Sequence, residues 1–172
     1  KYPELYPKYI SILSINGRHS HRLSPLIEKL CLPTLVIADL DTAEKEGHHK
    51  AVCPERKKGL ISSNYTITGW IIGKKDLDKL LDIPADQKEI VKQGVCKYSI
   101  RIAYQTPVKI DYNGAEVEAL ASTFEDCLVY TNLQLFENIS VDDTGSLIKN
   151  VSDKIKSASS FEEFHQGVYD VL

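Results

Sequence analysis

Hydrophobic positions fall along this chain in short apolar runs and in stretches of helical spacing, and the two alternate. Residues 9–15 (YISILSI) are apolar and β-branched, which predicts a strand, and Asn16-Gly17 ends it. Leu23, Leu26, Ile27 and Leu30 follow at helical spacing, with Ser24 and Pro25 suited to a helix start. Pro33 breaks that pattern. Residues 34–38 (TLVIA) are then continuously apolar and end in Asp39, which predicts a strand covered on both faces, as in a parallel sheet. Residues 42–74 leave this rhythm in a long excursion rich in charge, Gly and His. Two short helical patterns, 75–82 and 85–93, come next, with Pro84 at a start and Gly94 at a stop. A third strand is expected over 99–104. Residues 108–112 and 116–120 flank Asn113-Gly114 and predict a hairpin. A helix is expected from Phe124 to Leu135, a polar connector over 138–150, and a helical or partly ordered tail over 151–172. The whole predicts an α/β fold: a mostly parallel central sheet flanked by helices, with an inserted helical and loop segment and a β-hairpin.

The length of 172 residues suits one domain with one core, and 42% hydrophobic with 26% charged residues is an ordinary globular balance. A net charge of −3 is not that of a stand-alone nucleic-acid binder, so a metal or a neighbouring domain has to offset repulsion if DNA is the partner. Methionine is absent, position 1 included, so the chain reads as a fragment or a processed product. No apolar run reaches the roughly 18 residues a membrane helix needs, and the chain reads as cytoplasmic. Cys31, Cys53, Cys96 and Cys127 contain no CxxC spacing, so a zinc knuckle is not expected; Cys31 and Cys127 sit in apolar helical patterns that read as core rather than as disulfide partners.

Four places carry residues suited to chemistry. Asp39-Leu40-Asp41 ends a buried strand, where ligands of open α/β sheets gather. Alternation sends both carboxylates to one side, and two such groups repel unless a cation lies between them or one takes a proton. Hard divalent ions favour that oxygen donor set; the plainer reading is a helix cap or a solvated pair. Glu125-Asp126 opens a helix, and Ser122 with Glu125 fits a capping box, although a capping carboxylate can also face a metal. In residues 16–21 (NGRHSH), Gly17 permits a tight turn, a helix N-terminus can receive phosphate, and Arg18 can pair with it. His19 and His21 are further phosphate or DNA contacts, or plain surface histidines. Basic residues at Arg56-Lys57-Lys58 and Lys74-Lys75 read first as solvated loop charge, and Lys154 and Lys156 are cations able to stabilise phosphoryl charge.

The order of these motifs resembles the TOPRIM domain of topoisomerases, primases and certain nucleases. The finer likeness is to the OLD (overcoming lysogenization defect) family of ATP-dependent endonucleases, carried by residues 16–21, 35–41 (LVIADLD), 63–67 (SNYTI) with Trp70, 101–107 (RIAYQTP) and 122–126 (STFED). It runs over about residues 10–137. The resemblance implies a TOPRIM-like (Rossmann-like) domain at 10–137, with an insertion at about 42–96. Residues 1–9 would be a connector from a missing N-terminal ATPase region and 138–172 a C-terminal helical tail. It further implies a DNA endonuclease dependent on Mg²⁺ or Mn²⁺, linked to an ABC-type ATPase domain, assembling as a homo-oligomer, and serving in anti-phage defence. Asp39 and Asp41 match the DxD ligands, Glu125 the later acidic ligand and catalytic carboxylate, with Asp126 beside it. Asn16 would be a neutral oxygen ligand, and Lys156 or Lys154 the catalytic lysine. The sequence departs from the family at the Glu-Gly-x-x-Glu/Asp opening, aligned here with Asn16 and Ser20. That departure motivates a second reading, a catalytically weak module that binds nucleic acid or a partner protein. A phosphotransferase using the same DxD is a third.

Overall fold

The computed structural model describes residues 2–15, 17–46, 50–139 and 146–172. Pro3–Leu5 is one turn of 3-10 helix, and residues 9–15 follow without regular structure. The strand expected at 9–15 does not form. Tyr9 is 95% and Ile12 91% exposed, and an apolar run becomes a strand only where a neighbouring edge satisfies its backbone.

Gly17–Leu23 is a 3-10 helix that continues into α1 (Ser24–Leu30), with Pro25 in its first turn, where the missing N–H does no harm. Cys31, at φ +52°, closes α1 in the left-handed conformation. β1 (Thr34–Ile37) is followed by the two-residue strands β2 (Thr42–Ala43) and β3 (Ile61–Ser62), paired antiparallel. A π-helical turn, Thr66–Ile71, precedes α2 (Leu77–Leu81), which Asp76 caps. The expected helix over 85–93 is instead a 3-10 turn, Ala85–Gln87, and β4 (Glu89–Lys92). Ile90 and Val91 are β-branched, and β5 (Tyr98–Ala103) offers them an edge in the register Ile90↔Ile100. The Asn113-Gly114 turn joins β6 (Val108–Tyr112) to β7 (Ala115–Ala119) as expected. The helices α3 (Phe124–Thr131), α4 (Leu133–Asn138), α5 (Leu147–Ser157) and α6 (Phe161–Val171) complete the chain.

Among the described residues the molecule is mixed α/β with three small sheets. The largest has the order β1-β5-β4, and among the described residues the parallel pairing is confined to β1 and β5. β1 lies at the edge of its sheet, so the expectation of a strand covered on both faces is corrected: Val36 is buried while Ile37 is 73% exposed.

Two apolar cores form. One packs Val36, Leu40, Ile100 and Ile102 against Ile67 of the π-helical turn and Leu77 and Leu80 of α2. The second joins Ile110 and Ala119 of the hairpin, Val129 and Tyr130 of α3, Val151 and Ile155 of α5, and Phe164 and Val168 of α6. Residues 151–172 are therefore helical and packed. Residues 147–150, expected in a polar connector, begin α5, while 140–145 lie outside the described residues. Cys31 and Cys96 are joined by a disulfide with Cα atoms 6.2 Å apart, tying the end of α1 to the β4–β5 loop and correcting the reading of Cys31 as a plain core residue; Cys53 and Cys127 are free.

Candidate functional site

The parallel pairing of β1 and β5 sends both chains out of the sheet at the same end. Ala38 N–H still donates to Ala103 O at 3.0 Å, and beyond it Asp39 on one chain faces Gln105 on the other. The Gln105 amide bridges the DxD loop: Nε2 donates to Asp39 Oδ1, and Oε1 accepts from Leu40 N–H at 2.9 Å. Leu40 is fully buried and anchors the loop in the first core. Asp41 then leaves the strand conformation at φ +48°, a left-handed region that aspartate tolerates better than most residues. The two carboxylates are electrostatic neighbours, but a turn brings them together rather than the strand pleat.

Residues 62–64 hold this loop from the other side. Ser62 Oγ donates to Leu40 O, Ser63 N–H to Asp41 O at 2.9 Å, and Ser63 Oγ to the same oxygen at 3.0 Å. Asn64 is buried and its Nδ2 donates both to Asp39 O (2.9 Å) and to Asp41 Oδ2 (3.0 Å), while its Oδ1 accepts from Thr66 N–H (3.0 Å). Arg18, on the 3-10 helix, donates from Nε to Asp41 Oδ2 at 3.0 Å and from Nη2 to Ser63 Oγ at 2.8 Å.

The third carboxylate arrives on α3. The helix starts at Phe124, whose N–H is directed toward Asp39, and the charge of Glu125 acts on Asp39. Burial pushes the Asp39 carboxyl above the usual aspartate range. The Gln105 bond draws it back, the charges of Asp41 and Glu125 push it up again, and Phe124 N–H draws it down. Asp126 has a different place. Its Oδ2 accepts from Ser122 N–H (2.9 Å) and Thr123 N–H (3.1 Å), while Thr123 Oγ1 accepts from Asp126 N–H (3.2 Å). The capping box is Thr123 with Asp126, one residue on from the expected Ser122 with Glu125, because Thr123 holds the extended conformation of an N-cap. Glu125 is thereby left exposed beside Asp39.

The structure thus ties Asp39, Asp41 and Arg18 into one hydrogen-bonded loop, sets Glu125 within electrostatic reach of Asp39, and makes Asp126 the cap of α3. Asn16 lies outside the described residues. Gly17 opens the 3-10 helix; His19 is exposed, and the His21 and Tyr65 ring centres lie 4.7 Å apart in an edge-on contact. Lys154 and Lys156 lie in α5, and among the described residues neither forms an ion pair with Asp39, Asp41 or Glu125. Lys154 lines an open groove of about 960 Å³ with Cys53, Arg56, Glu118 and His165. Gln105, Ser63 and Asn64 hold the DxD loop; the sequence assigned them no chemical role, although they lie in the stretches 63–67 and 101–107 that carry the family resemblance. Their signal was weak: an amide just past a strand end, and a Ser-Ser-Asn run in an excursion.

The donor set is of hard oxygens, which suits Mg²⁺ or Mn²⁺ in kind. Among the described residues no three His, Cys, Asp or Glu side chains converge closely enough to hold a metal by themselves. Mg²⁺ commonly takes one or two carboxylates and completes its shell with water and substrate phosphate, so an open pair with a third acid nearby fits that mode.

This end of the sheet also carries the likeness to known proteins. Residues 1–41 match the family described as Overcoming lysogenization defect protein-like, TOPRIM domain. The matched stretch ends on Asp41, so it includes both acids of the DxD. Endonuclease GajA of Bacillus cereus (strain HuB5-5) is 27% identical over 124 residues, 72% of this chain and 16% of that protein. The chain therefore corresponds to about a sixth of that relative's length. No solved structure matches the chain. The chain is similar to OLD-like TOPRIM proteins, and the similarity supports a function of nuclease type.

Proposed function

We propose that this chain is the metal-dependent endonuclease part of an OLD-like ATPase–nuclease and hydrolyses phosphodiester bonds in DNA. The observation that supports it best is the pair Asp39 and Asp41 just past the carboxyl end of β1, with the half-buried Asp39 carboxyl pushed up by burial and by the charges of Asp41 and Glu125. A half-buried carboxylate crowded by like charges favours a bound cation. Asp39 and Asp41 would hold Mg²⁺ or Mn²⁺, and Glu125 would be a further acidic ligand, direct or through water. When bound, such an ion supplies charge stabilisation at the phosphoryl oxygens and lowers the pKa of water. Gln105 and Asn64 orient the two aspartates, and Asp126 fixes the α3 start so that Glu125 faces Asp39. Residues 17–21, with Arg18, His19 and His21, would contact the DNA phosphates. Lys156 and Lys154 keep their proposed part as stabilisers of phosphoryl charge on sequence grounds alone; the cation the structure sets beside the acids is Arg18.

The intact protein is proposed to join this part to an ATPase domain, to assemble as a homo-oligomer, and to act against phage DNA. No helix among the described residues is long and apolar enough to cross a membrane. The second reading, a weakly catalytic module that binds nucleic acid or a partner, draws on the absence of a gathered three-ligand group among the described residues.

Nicking of supercoiled plasmid in Mg²⁺ or Mn²⁺ tests the proposal. Nicking that needs the ion and vanishes in Asp39→Asn/Asp41→Asn is expected. Divalent binding without nicking, by this chain and by the full-length protein, favours the module instead.

A further inference from the structure

Asp41 already has a cation. We propose that Arg18 is the resident counter-cation of the DxD site and competes with the divalent ion for Asp41, setting the ion concentration at which the site loads. The inference rests on the metal-site reading above.

The geometry is specific. Asp41 Oδ2 accepts from Arg18 Nε and from Asn64 Nδ2, each at 3.0 Å, which occupies both lone-pair directions of that oxygen. Arg18 is also braced: Nη2 donates to Ser63 Oγ at 2.8 Å, and the same hydroxyl donates to Asp41 O at 3.0 Å. Guanidinium, hydroxyl and aspartate so form a closed ring of contacts around the turn at Asp41. An ion that takes Asp41 as a bidentate ligand, or through Oδ2, must displace one of the two donors. Asn64 is the harder to move. It is buried, its amide also holds Asp39 O, and its Oδ1 holds Thr66 N–H. The Arg18 side chain is 53% exposed, so water receives the guanidinium when it leaves. Arg18 is therefore the exchangeable partner. Its positive charge beside Asp41 also repels an incoming dication until it moves.

An exposed ion pair is weak, so the competition is modest. Removing it changes ion affinity by about two- to fivefold. The experiment is a Mn²⁺ titration of the chain, with free Mn²⁺ read by electron paramagnetic resonance, for wild type, Arg18→Gln, Arg18→Lys and Ser63→Ala, with Asp41→Asn as reference. Arg18→Gln is expected to bind Mn²⁺ about two- to fivefold more tightly than wild type. Ser63→Ala, which loosens the brace and keeps the charge, is expected between them. Arg18→Lys should lie near wild type. The gap between Arg18→Gln and wild type should narrow in 0.5 M NaCl, where screening weakens the ion pair. Equal or weaker binding by Arg18→Gln and Ser63→Ala, with wild type binding normally, overturns the competition and leaves the metal site standing. Failure of every variant and of wild type to bind Mn²⁺ overturns both.

Discussion

Asp39 carries its charge in a place that resists it. Burial and the charges of Asp41 and Glu125 raise its pKa, and only the Gln105 amide and Phe124 N–H work the other way. A carboxyl whose folded pKa is raised contributes stability that is fully present below its unfolded value of 3.8 and is lost as pH rises through the folded value. Two outcomes follow at this scale. In EDTA at pH 7.5, Asp39→Asn should melt no lower than wild type, since it removes a charge that the fold disfavours. In excess Mg²⁺ wild type alone should gain, because only it binds the ion, and its gain should be larger at pH 7.5 than at pH 4. Differential scanning fluorimetry reads both, and a lower melting temperature for Asp39→Asn in EDTA contradicts the account. The two aspartates were legible in the sequence because an apolar run led into them. Gln105, Ser63 and Asn64 were not, because each is an ordinary polar residue locally and meets the DxD loop only through tertiary folding. The Arg18–Asp41 pair was hidden for the same reason: the sequence offered Arg18 to a phosphate, and the fold hands it a carboxylate.

At the scale of elements, α3 divides the labour between two adjacent acids. Asp126 satisfies two N–H groups at the helix start and is buried, whereas Glu125 faces Asp39 and solvent. Asp126→Ala should therefore destabilise the protein by about 1–2 kcal/mol, the usual range for a lost cap, seen as a lower midpoint in urea unfolding. Glu125→Gln should leave that midpoint unchanged and weaken Mn²⁺ binding. The reverse pattern would assign the two roles the other way. The sequence showed that a capping box lay here, but Ser122-Thr123 and Glu125-Asp126 supply two registers one residue apart, and backbone conformation chooses between them. A similar ambiguity made β4 read as a helix, since Ile90 and Val91 suit either state until β5 provides an edge. Residues 9–15 show the opposite case, a run with every strand feature and no partner strand among the described residues.

For the whole molecule, the site depends on both cores. The DxD loop is rooted in the first through Leu40, and α3 is rooted in the second through Val129 and Tyr130. The second core is completed by Phe164 and Val168 of α6, both fully buried. Phe164→Ala should cost about 3–5 kcal/mol, as buried Phe truncations do, and should weaken Mn²⁺ binding by loosening the support of Glu125. Its check is urea unfolding alongside Mn²⁺ titration; a loss under 1 kcal/mol would show that α5 and α6 are not part of this core. The last two helices were legible as helical from their spacing, but their packing against the hairpin was not, since it joins residues far apart in sequence, such as Tyr112 of β6 and Ser160 at the start of α6. The central claim is the place of the ion, and a crystal grown with Mn²⁺, with its anomalous signal mapped, tests it most directly. The account predicts a peak within coordination distance of Asp39 and Asp41 with Glu125 beside it, and Arg18 drawn off Asp41. Full occupancy elsewhere, as in the groove beside Cys53 and His165, with Arg18 still on Asp41, would contradict it.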